Sequence, residues 1–229
     1  MSSDSKNIVK LDQVCFRYPG ATEGNYALSD ISLDFKRGQV VGVIGNNGVG
    51  KSSLLKIIAG IIEPTSGRVL VNTDSISLLS LNLGFDQMLT GEENAILQGM
   101  LMGISKDRIY GALDKIKEYS GLQNSFYKQL KTYSTGMISR LSFSVTTVLE
   151  SDLLLIDEVI GVGDNKFRKF AQSTFEENKE KRKTIIVVSH NLKFVDEISD
   201  VVVLLDNGIL DKVGEGKEII KYYRNNYGN

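Results

Sequence analysis

The amino-acid sequence predicts an α/β fold in which helices cover a mostly parallel β-sheet. Strand-like runs alternate with helical segments near both ends of the chain, as in strand–helix–strand units. The residues between them have the apolar spacing of helices and form an insertion. We therefore expect a single domain over residues 1–229, with a core of residues 1–84 and 150–229 and a helical subdomain of residues 85–149.

Composition narrows the class of protein. The 27 basic and 28 acidic residues leave a net charge of −1, so no overall basic field exists to hold nucleic acid or an anionic membrane. The single cysteine, Cys15, excludes an internal disulfide and indicates a reduced compartment. No window reaches the roughly 20 apolar residues of a membrane span. We expect a cytoplasmic protein that reaches a membrane only through a partner.

The first third of the chain carries strand patterns around one helix. Ile8–Phe16 and Ile31–Phe35 partly alternate apolar and polar residues, as strands with one solvated face do. Gln39–Ile44 is a nearly continuous β-branched run, which is typical of a strand buried on both faces. Ser52–Ile62 shifts to helical spacing, and Arg68–Asn72 returns to a strand pattern.

Helical spacing dominates the middle of the chain. Apolar residues recur there at three- and four-residue intervals, and another helix is expected at Ser134–Leu149. The recurring residues are Ile96, Met100, Ile104, Ile109, Leu113 and Ile116. Strand patterns then return, followed by a last helix: Leu153–Ile156, Thr184–Ser189, Val201–Leu205 and the helix Lys217–Arg224.

Residues 45–52 match the phosphate-loop (P-loop) pattern G-x4-G-K-[ST] between the buried strand and the first helix. Its glycines let backbone N–H groups point at phosphate oxygens, and the helix N-terminus adds a positive dipole end. Lys51 is expected to bridge the β- and γ-phosphates, and the Ser52 hydroxyl to ligate Mg²⁺. We expect nucleotide to contact Gly45, Asn46, Asn47, Gly48, Val49, Gly50, Lys51, Ser52 and Ser53. A small-molecule kinase or a GTPase would share this loop.

Two acidic residues follow the strand-like run Leu153–Ile156. Ligands of open α/β sheets bind at the carboxyl ends of strands, where Asp157 and Glu158 are predicted to lie. Asp157 suits a Mg²⁺-coordinating acid, and Glu158 suits the base that orients the attacking water. Two acids at this place favour hydrolysis over phosphate transfer to a substrate hydroxyl.

The only histidine, His190, ends another strand-like run. We expect that strand to lie beside the Asp157 strand, so the imidazole can reach the γ-phosphate and the attacking water. A single histidine is otherwise most often structural or simply exposed. Lys51, Glu158 and His190 are thus the candidate catalytic residues.

Residues 133–137, Tyr-Ser-Thr-Gly-Met, resemble the signature motif of ABC-type ATPases. The order of phosphate loop, signature, acidic strand and Ser189-His190 resembles an ABC nucleotide-binding subunit over essentially the whole chain. The resemblance implies a P-loop NTPase core with an antiparallel β part and an inserted helical subdomain. It also implies ATP and Mg²⁺, hydrolysis of ATP, and two copies that sandwich two nucleotides.

The same resemblance assigns further residues. Ser134 and Gly136 would contact the γ-phosphate held by the other subunit, and Tyr18 would stack on adenine. The usual segment after the catalytic acid is replaced by Gly-Val-Gly-Asp, so that Asp164 takes the role of its final aspartate. Most members place a glutamine on the loop entering the helical subdomain, but here Gln87 lies only three residues before Thr90.

Several segments resemble the exporters of O-antigen, capsule and teichoic acid within this family. They are Tyr133–Met137, Glu158–Asp164 and residues 83–94. This implies a transmembrane permease partner, a place on the cytoplasmic side of the plasma membrane, and a contact surface around Phe85–Leu101. The alternatives are another type of ABC transporter subunit, a soluble ABC ATPase acting on DNA or ribosomes, and a soluble P-loop phosphotransferase.

Overall fold

The computed structural model of this chain describes residues 6–22, 24–73, 75–79, 84–157 and 183–227. Nine strands lie within those residues: β1 (Asn7–Phe16), β2 (Leu28–Lys36), β3 (Val40–Ile44), β4 (Ser66–Val71), β5 (Ile76–Leu79), β6 (Leu153–Asp157), β7 (Thr184–Val188), β8 (Val201–Asp206) and β9 (Ile209–Gly214). The described α-helices are α1 (Lys51–Ile58), α2 (Gly91–Leu101), α3 (Lys106–Ser120), α4 (Thr135–Leu149), α5 (Leu192–Ile198) and α6 (Gly216–Tyr227).

The strands form two sheets. The larger sheet has the order β5-β6-β7-β3-β8-β9, and every neighbouring pair is parallel except β8 with β9. The smaller sheet, β2-β1-β4, is antiparallel throughout. A mostly parallel sheet with an antiparallel β part is the architecture that the sequence predicts. The predicted α/β fold class is confirmed.

Burial explains why the central strands read as continuous apolar runs. All five residues of β3 and all five of β7 are buried, because other elements pack on both faces of the sheet. β1 and β2 alternate only in part between buried and solvated residues, because register shifts interrupt their pairing. The main apolar cluster joins residues of both sheets with Leu54 and Leu55 of α1.

Helices α2, α3 and α4 pack on one another around a separate apolar cluster. Its members are Ala95, Ile109, Ile116, Leu122, Phe126, Leu130, Leu141, Val145 and Leu149. The predicted helical run is broken at Gly103, whose φ is 73°, and Ile104 lies in the turn between α2 and α3. Met100 is 47% exposed, so its helical spacing does not reflect core packing.

Other differences from the sequence prediction have local causes. α1 ends at Ile58 rather than Ile62, because Gly60 turns the chain with a φ of 70°. The sequence reading missed β5, β9 and α5. β5 has four residues, β9 is exposed or half-buried, and α5 has only seven residues. Each is too short or too solvated to give a clear apolar period.

Candidate nucleotide site

The predicted phosphate loop joins the end of β3 to the start of α1. Its glycines have positive φ angles of 146° at Gly45, 80° at Gly48 and 99° at Gly50. A Cβ at Gly45 would lie 2.3 Å from the carbonyl oxygen of Leu205, and one at Gly50 would lie 2.2 Å from that of Ala27. Glycine alone combines these angles with such close approach. The path of the loop therefore depends on the glycines of the motif.

The amide groups of this loop form a set of donors. Among the described residues, the N–H groups of residues 46–50 donate no hydrogen bond to another backbone group. The buried Lys51 ammonium lies over the loop, where it donates to the carbonyl oxygens of Gly45 at 2.9 Å and Asn46 at 2.7 Å. Amide donors, an ammonium and a helix N-terminus together make an anion site that fits the oxygens of a polyphosphate.

Ser52 and Asp157 are brought together by the sheet. Ser52 lies in the first turn of α1, and Asp157 is the last residue of β6. The Ser52 hydroxyl donates to the Asp157 Oδ1 atom at 3.0 Å. A hydroxyl and a carboxylate beside a phosphate site are hard oxygen donors of the kind that Mg²⁺ takes together with phosphate oxygens and water. The donor set at this place thus fits Mg²⁺.

Tyr18 lies at the edge of the loop. Its hydroxyl is 2.9 Å from the Ser53 hydroxyl, and its ring packs edge-on against Phe16 with ring centroids 4.8 Å apart. The side chain is 45% exposed, so one region of the ring is open to solvent. A cleft of about 260 Å³ is lined by Tyr18, Ala27, Asn47, Gly48, Gly50, Lys51, Ser52 and Ser53. Tyr18 and the phosphate loop therefore share one cavity.

His190 lies in the turn between β7 and α5. β7 is hydrogen-bonded to β6 on one side and to β3 on the other, with Val188 opposite Asp157. The strand before His190 is thus the neighbour of the Asp157 strand, as predicted. His190 itself is exposed, and the turn is fixed by the Ser189 hydroxyl, which accepts a hydrogen bond from the Asn191 N–H at 3.1 Å. Glu158 and Asp164 lie outside the described residues.

The signature-like segment lies on the helical block. Ser134 is the N-cap of α4, and its hydroxyl accepts a hydrogen bond from the Met137 N–H at 3.3 Å. Ser134 is exposed, and a Cβ at Gly136 would meet only the Ser134 hydroxyl, at 4.0 Å. Neither residue lines the cleft at the phosphate loop. The N-terminus of α4 is therefore open to solvent.

Two polar side chains hold loops in place by hydrogen bonds, although the sequence analysis gave neither of them a role. The Tyr223 hydroxyl in α6 donates to Asn46 Oδ1 in the phosphate loop at 2.7 Å. Asn94, which is fully buried in α2, accepts from the Asp86 N–H and donates to backbone carbonyls of the preceding loop. This bonding fixes the loop that contains Gln87. Neither role has a local signal, since each bond depends on which segments meet in space.

Comparison with known families decides which group of P-loop proteins this is. Residues 28–161 match the model of the ABC transporter family. That stretch covers more than half of the chain and runs from β2 past β6. The chain belongs to the ABC transporter family.

Several similar proteins are ATP-binding proteins of O-antigen or teichoic acid export. The chain is 39% identical to the O-antigen export system ATP-binding protein RfbB of Klebsiella pneumoniae, over 86% of this chain and 80% of that protein. It is 38% identical to the teichoic acids export ATP-binding protein TagH of Shouchella clausii. That second match covers 86% of this chain but 55% of TagH, so this chain spans about half of the longer relative.

Solved structures of ABC proteins share the fold. An ATP-binding subunit of an ABC transporter superimposes with a TM-score of 0.83 at 23% identity, over 94% of this chain and 93% of that one. An ATP-binding cassette solved as a dimer after hydrolysis, with ADP and phosphate bound, superimposes with a TM-score of 0.81 at 22% identity. That match covers 90% of this chain and 98% of the other. Among the described residues of the ABC chain, no helix is both long and apolar enough to cross a membrane.

Proposed function

We propose that this ABC chain is the ATP-hydrolysing subunit of an exporter of a bacterial cell-surface polysaccharide, which passes through a separate membrane subunit. The ATPase part is carried by the contact of Ser52 with Asp157 beside the Lys51 ammonium, at the carboxyl ends of β3 and β6 on either side of β7. The polysaccharide part rests on the similarity to ATP-binding proteins of O-antigen export and teichoic acids export.

Each residue of the site has one task in the proposed reaction. Lys51 and the loop amides bind the phosphates and offset their charge. Glu158 accepts a proton from the attacking water, and His190 donates a hydrogen bond to the γ-phosphate. Mg²⁺ held by Ser52 and Asp157 would neutralise charge on the phosphate oxygens. Tyr18 stacks on the adenine ring.

Two copies of the chain complete two sites in this proposal. Ser134 and Gly136 of one copy supply a hydroxyl, a backbone N–H and a helix N-terminus to the nucleotide held by the other copy. Asp164 is proposed as a further residue of the nucleotide site. The position of Ser134 outside the phosphate cleft supports this arrangement, because one copy alone does not bring the signature residues to its own nucleotide.

A groove between the core and the helical block suits the membrane subunit. It has a volume of about 280 Å³ and is mostly apolar, with a lining of Ala59, Ile61, Ile76, Ser77, Leu78, Gly84, Gln98, Leu101 and Met102. Ile61 is 50% exposed and Leu101 is 67% exposed. We propose that an amphipathic helix on the cytoplasmic side of the membrane subunit inserts its apolar face here. The ABC chain would then act at the plasma membrane without entering it.

The shared-site ATPase is tested by steady-state hydrolysis at several protein concentrations. Wild type should release phosphate from ATP without a second substrate, and its rate per molecule should rise with protein concentration. Glu158→Gln and Ser134→Arg should each lower the rate by about 100-fold or more. Glu158→Gln loses the proposed base, and Ser134→Arg blocks the proposed phosphate contact at the N-terminus of α4. Ser105→Arg, a substitution at the exposed N-cap of α3, is the matched control and should keep the wild-type rate.

Two results would contradict the shared-site mechanism. Full activity in Ser134→Arg would show that Ser134 does not contact the nucleotide of the other copy. If the hydrolysis rate per molecule did not change with protein concentration in a strictly monomeric sample, one copy would suffice for hydrolysis. Phosphate transfer to a small-molecule hydroxyl, in place of release, would support the phosphotransferase alternative.

The polysaccharide proposal needs a test in the cell that encodes the chain. Replacing the chromosomal copy with Glu158→Gln should abolish a surface glycan while its lipid-linked precursor accumulates inside the cell. The measurements are staining of whole cells for surface polymer and chromatography of extracted lipids. A normal glycan surface in a strain with an inactive ATPase would leave the ATPase assignment intact but would exclude this cargo.

A further inference from the structure

Helix α6 shares an apolar cluster with the strand that leads into the phosphate loop. Its buried residues Ile219 and Ile220 contact a cluster that includes Ile44, the last residue of β3 before the loop begins. Tyr223 lies one turn further along α6, four residues after Ile219 and three after Ile220, so its side chain is on the same face of the helix. The packing of α6 therefore directs Tyr223 at the start of the phosphate loop.

The Tyr223 hydroxyl connects that helix to the loop. It donates to Asn46 Oδ1 at 2.7 Å, the usual length of a good O–H···O hydrogen bond. The backbone carbonyl of the same Asn46 accepts from the Lys51 ammonium at 2.7 Å. One residue of the loop is thus held by its side chain from α6 and by its main chain from the phosphate-binding lysine.

The tyrosine is itself held in place. Its ring stacks on Tyr227 with centroids 5.7 Å apart and planes 21° apart. The Tyr227 hydroxyl donates to Asp211 Oδ2 of β9 at 3.1 Å, which ties the last turn of α6 to the β8–β9 hairpin. Partial burial, together with the hydrogen bond to Asp211, raises the pKa of Tyr227 to about 12.

The loop has few other restraints near Asn46. Its amides at residues 46–50 make no backbone hydrogen bond within the described chain, as an anion cradle requires. Gly45 is fixed against β8 and Val49 is buried in the main core, on either side of the Asn46–Gly48 stretch. The Tyr223 bond and the Lys51 bond to the Asn46 carbonyl are the side-chain hydrogen bonds to that stretch within the described residues.

We propose that Tyr223 is a positioning residue for nucleotide binding. Its hydroxyl holds Asn46 so that the loop amides and the Lys51 ammonium keep the geometry that binds phosphate. The proposal rests on the proposed ATP binding of this chain. The effect acts equally on bound ATP and on the transition state, so it changes the KM for ATP and leaves kcat unaltered.

The test compares two tyrosines of the same helix. Tyr223→Phe removes only the hydroxyl and should raise the KM for ATP about two- to tenfold, the range expected for loss of one hydrogen bond. Its kcat and Tm should stay at the wild-type values. Tyr222→Phe is the control, because that hydroxyl makes no described bond to the loop, and it should leave KM unchanged. Asn46→Ala should raise KM as well, and adding Tyr223→Phe to it should raise KM no further.

Distinct outcomes separate the failures. An unchanged KM in Tyr223→Phe, an equal rise in Tyr222→Phe, or additive effects with Asn46→Ala would each overturn the positioning role. A lowered Tm with a lowered kcat would show a purely structural role and would overturn it too. Absence of ATP binding by the wild-type chain would instead overturn the proposed function.

Discussion

Gly50 shows how strongly single residues are constrained at the phosphate loop. Its φ of 99° is unfavourable for any residue with a side chain, and a Cβ there would lie 2.2 Å from the Ala27 carbonyl oxygen. Gly60 shares the first restriction but not the second, since its φ is 70° and a Cβ there has nothing within 4 Å. The two glycines therefore separate backbone strain from steric collision.

Gly60→Ala should lower the free energy of unfolding by about 1 kcal/mol, the cost of left-handed backbone in a residue with a Cβ. Gly50→Ala should lower it by about 3 kcal/mol or more, because the strand-end segment at Ala27 must also shift. Urea unfolding of the nucleotide-free proteins measures both. Equal losses in the two variants would mean that the close approach to Ala27 relaxes without cost.

At the proposed adenine site, two variants of Tyr18 distinguish the contribution of its ring from that of its hydroxyl. Stacking of a base on an aromatic ring contributes about 1–3 kcal/mol, so Tyr18→Ala should weaken ATP binding roughly 5- to 150-fold. Tyr18→Phe keeps the ring and loses only the contact with the Ser53 hydroxyl, so its affinity should stay near wild type. Titration with a fluorescent ATP analogue distinguishes the cases. Equal weakening in both variants would place the hydroxyl, not the ring, at the nucleotide.

At the scale of elements, capping fixes where α2 begins. Thr90 is the N-cap, its hydroxyl accepts from the Glu93 N–H at 3.2 Å, and the Glu93 carboxylate accepts from the Thr90 N–H at 2.8 Å. This reciprocal capping box satisfies two of the free amides at the helix start. The hydrogen bonds from the Thr90 backbone and side chain lower the pKa of Glu93 below its ordinary value of 4.5.

The lowered pKa predicts a pH dependence with a definite sign. A carboxyl group with a depressed pKa in the folded state stabilises the fold above its unfolded value of 4.5, and that contribution is lost as pH falls through the folded pKa. Wild type should therefore have a higher Tm than Glu93→Gln at neutral pH. The difference should shrink in acid, as thermal unfolding over a pH series would show. A difference that is constant with pH would contradict a role for the Glu93 charge.

At the scale of the whole molecule, the apolar groove beside α2 is the proposed docking site of the membrane subunit, so a variant there can test transport separately from ATP hydrolysis. Leu101 lines this groove and is 67% exposed, so a charge at this position costs the fold little. Leu101→Glu should keep ATP hydrolysis and Tm but abolish co-purification with the membrane subunit and surface display of the glycan. Tyr110→Glu on α3, where the tyrosine is 58% exposed outside the groove, should alter neither.

One result would relocate the membrane contact. If Leu101→Glu retained full co-purification and export, the groove would not be the docking site. If the two single variants Leu101→Glu and Tyr110→Glu both lost co-purification and export, the cause would be a nonspecific effect of surface charge. Loss in Leu101→Glu alone is the expected outcome.

Much of the fold could be predicted from sequence because the strongest elements have strong local patterns. β3 and β7 are buried at every position, their sequences are almost entirely β-branched with Gly42 as the exception, and the phosphate loop carries its own motif between strand and helix. Weakly patterned elements were missed, as for β9, whose residues are exposed or half-buried. The end of α1 was wrong by four residues, because spacing alone gave no weight to the positive φ at Gly60.

The sequence by itself determined the chemistry of the site: the glycines, the lysine, the serine and the acids have fixed spacings along the chain, and their side chains suit phosphate. Only the tertiary structure decided which distant groups meet. The order β6-β7-β3 brings Asp157 to Ser52 across 105 residues, and the packing of α6 brings Tyr223 to Asn46 across 177. Such pairings come from burial of apolar faces summed over whole elements, and no local run of residues encodes them.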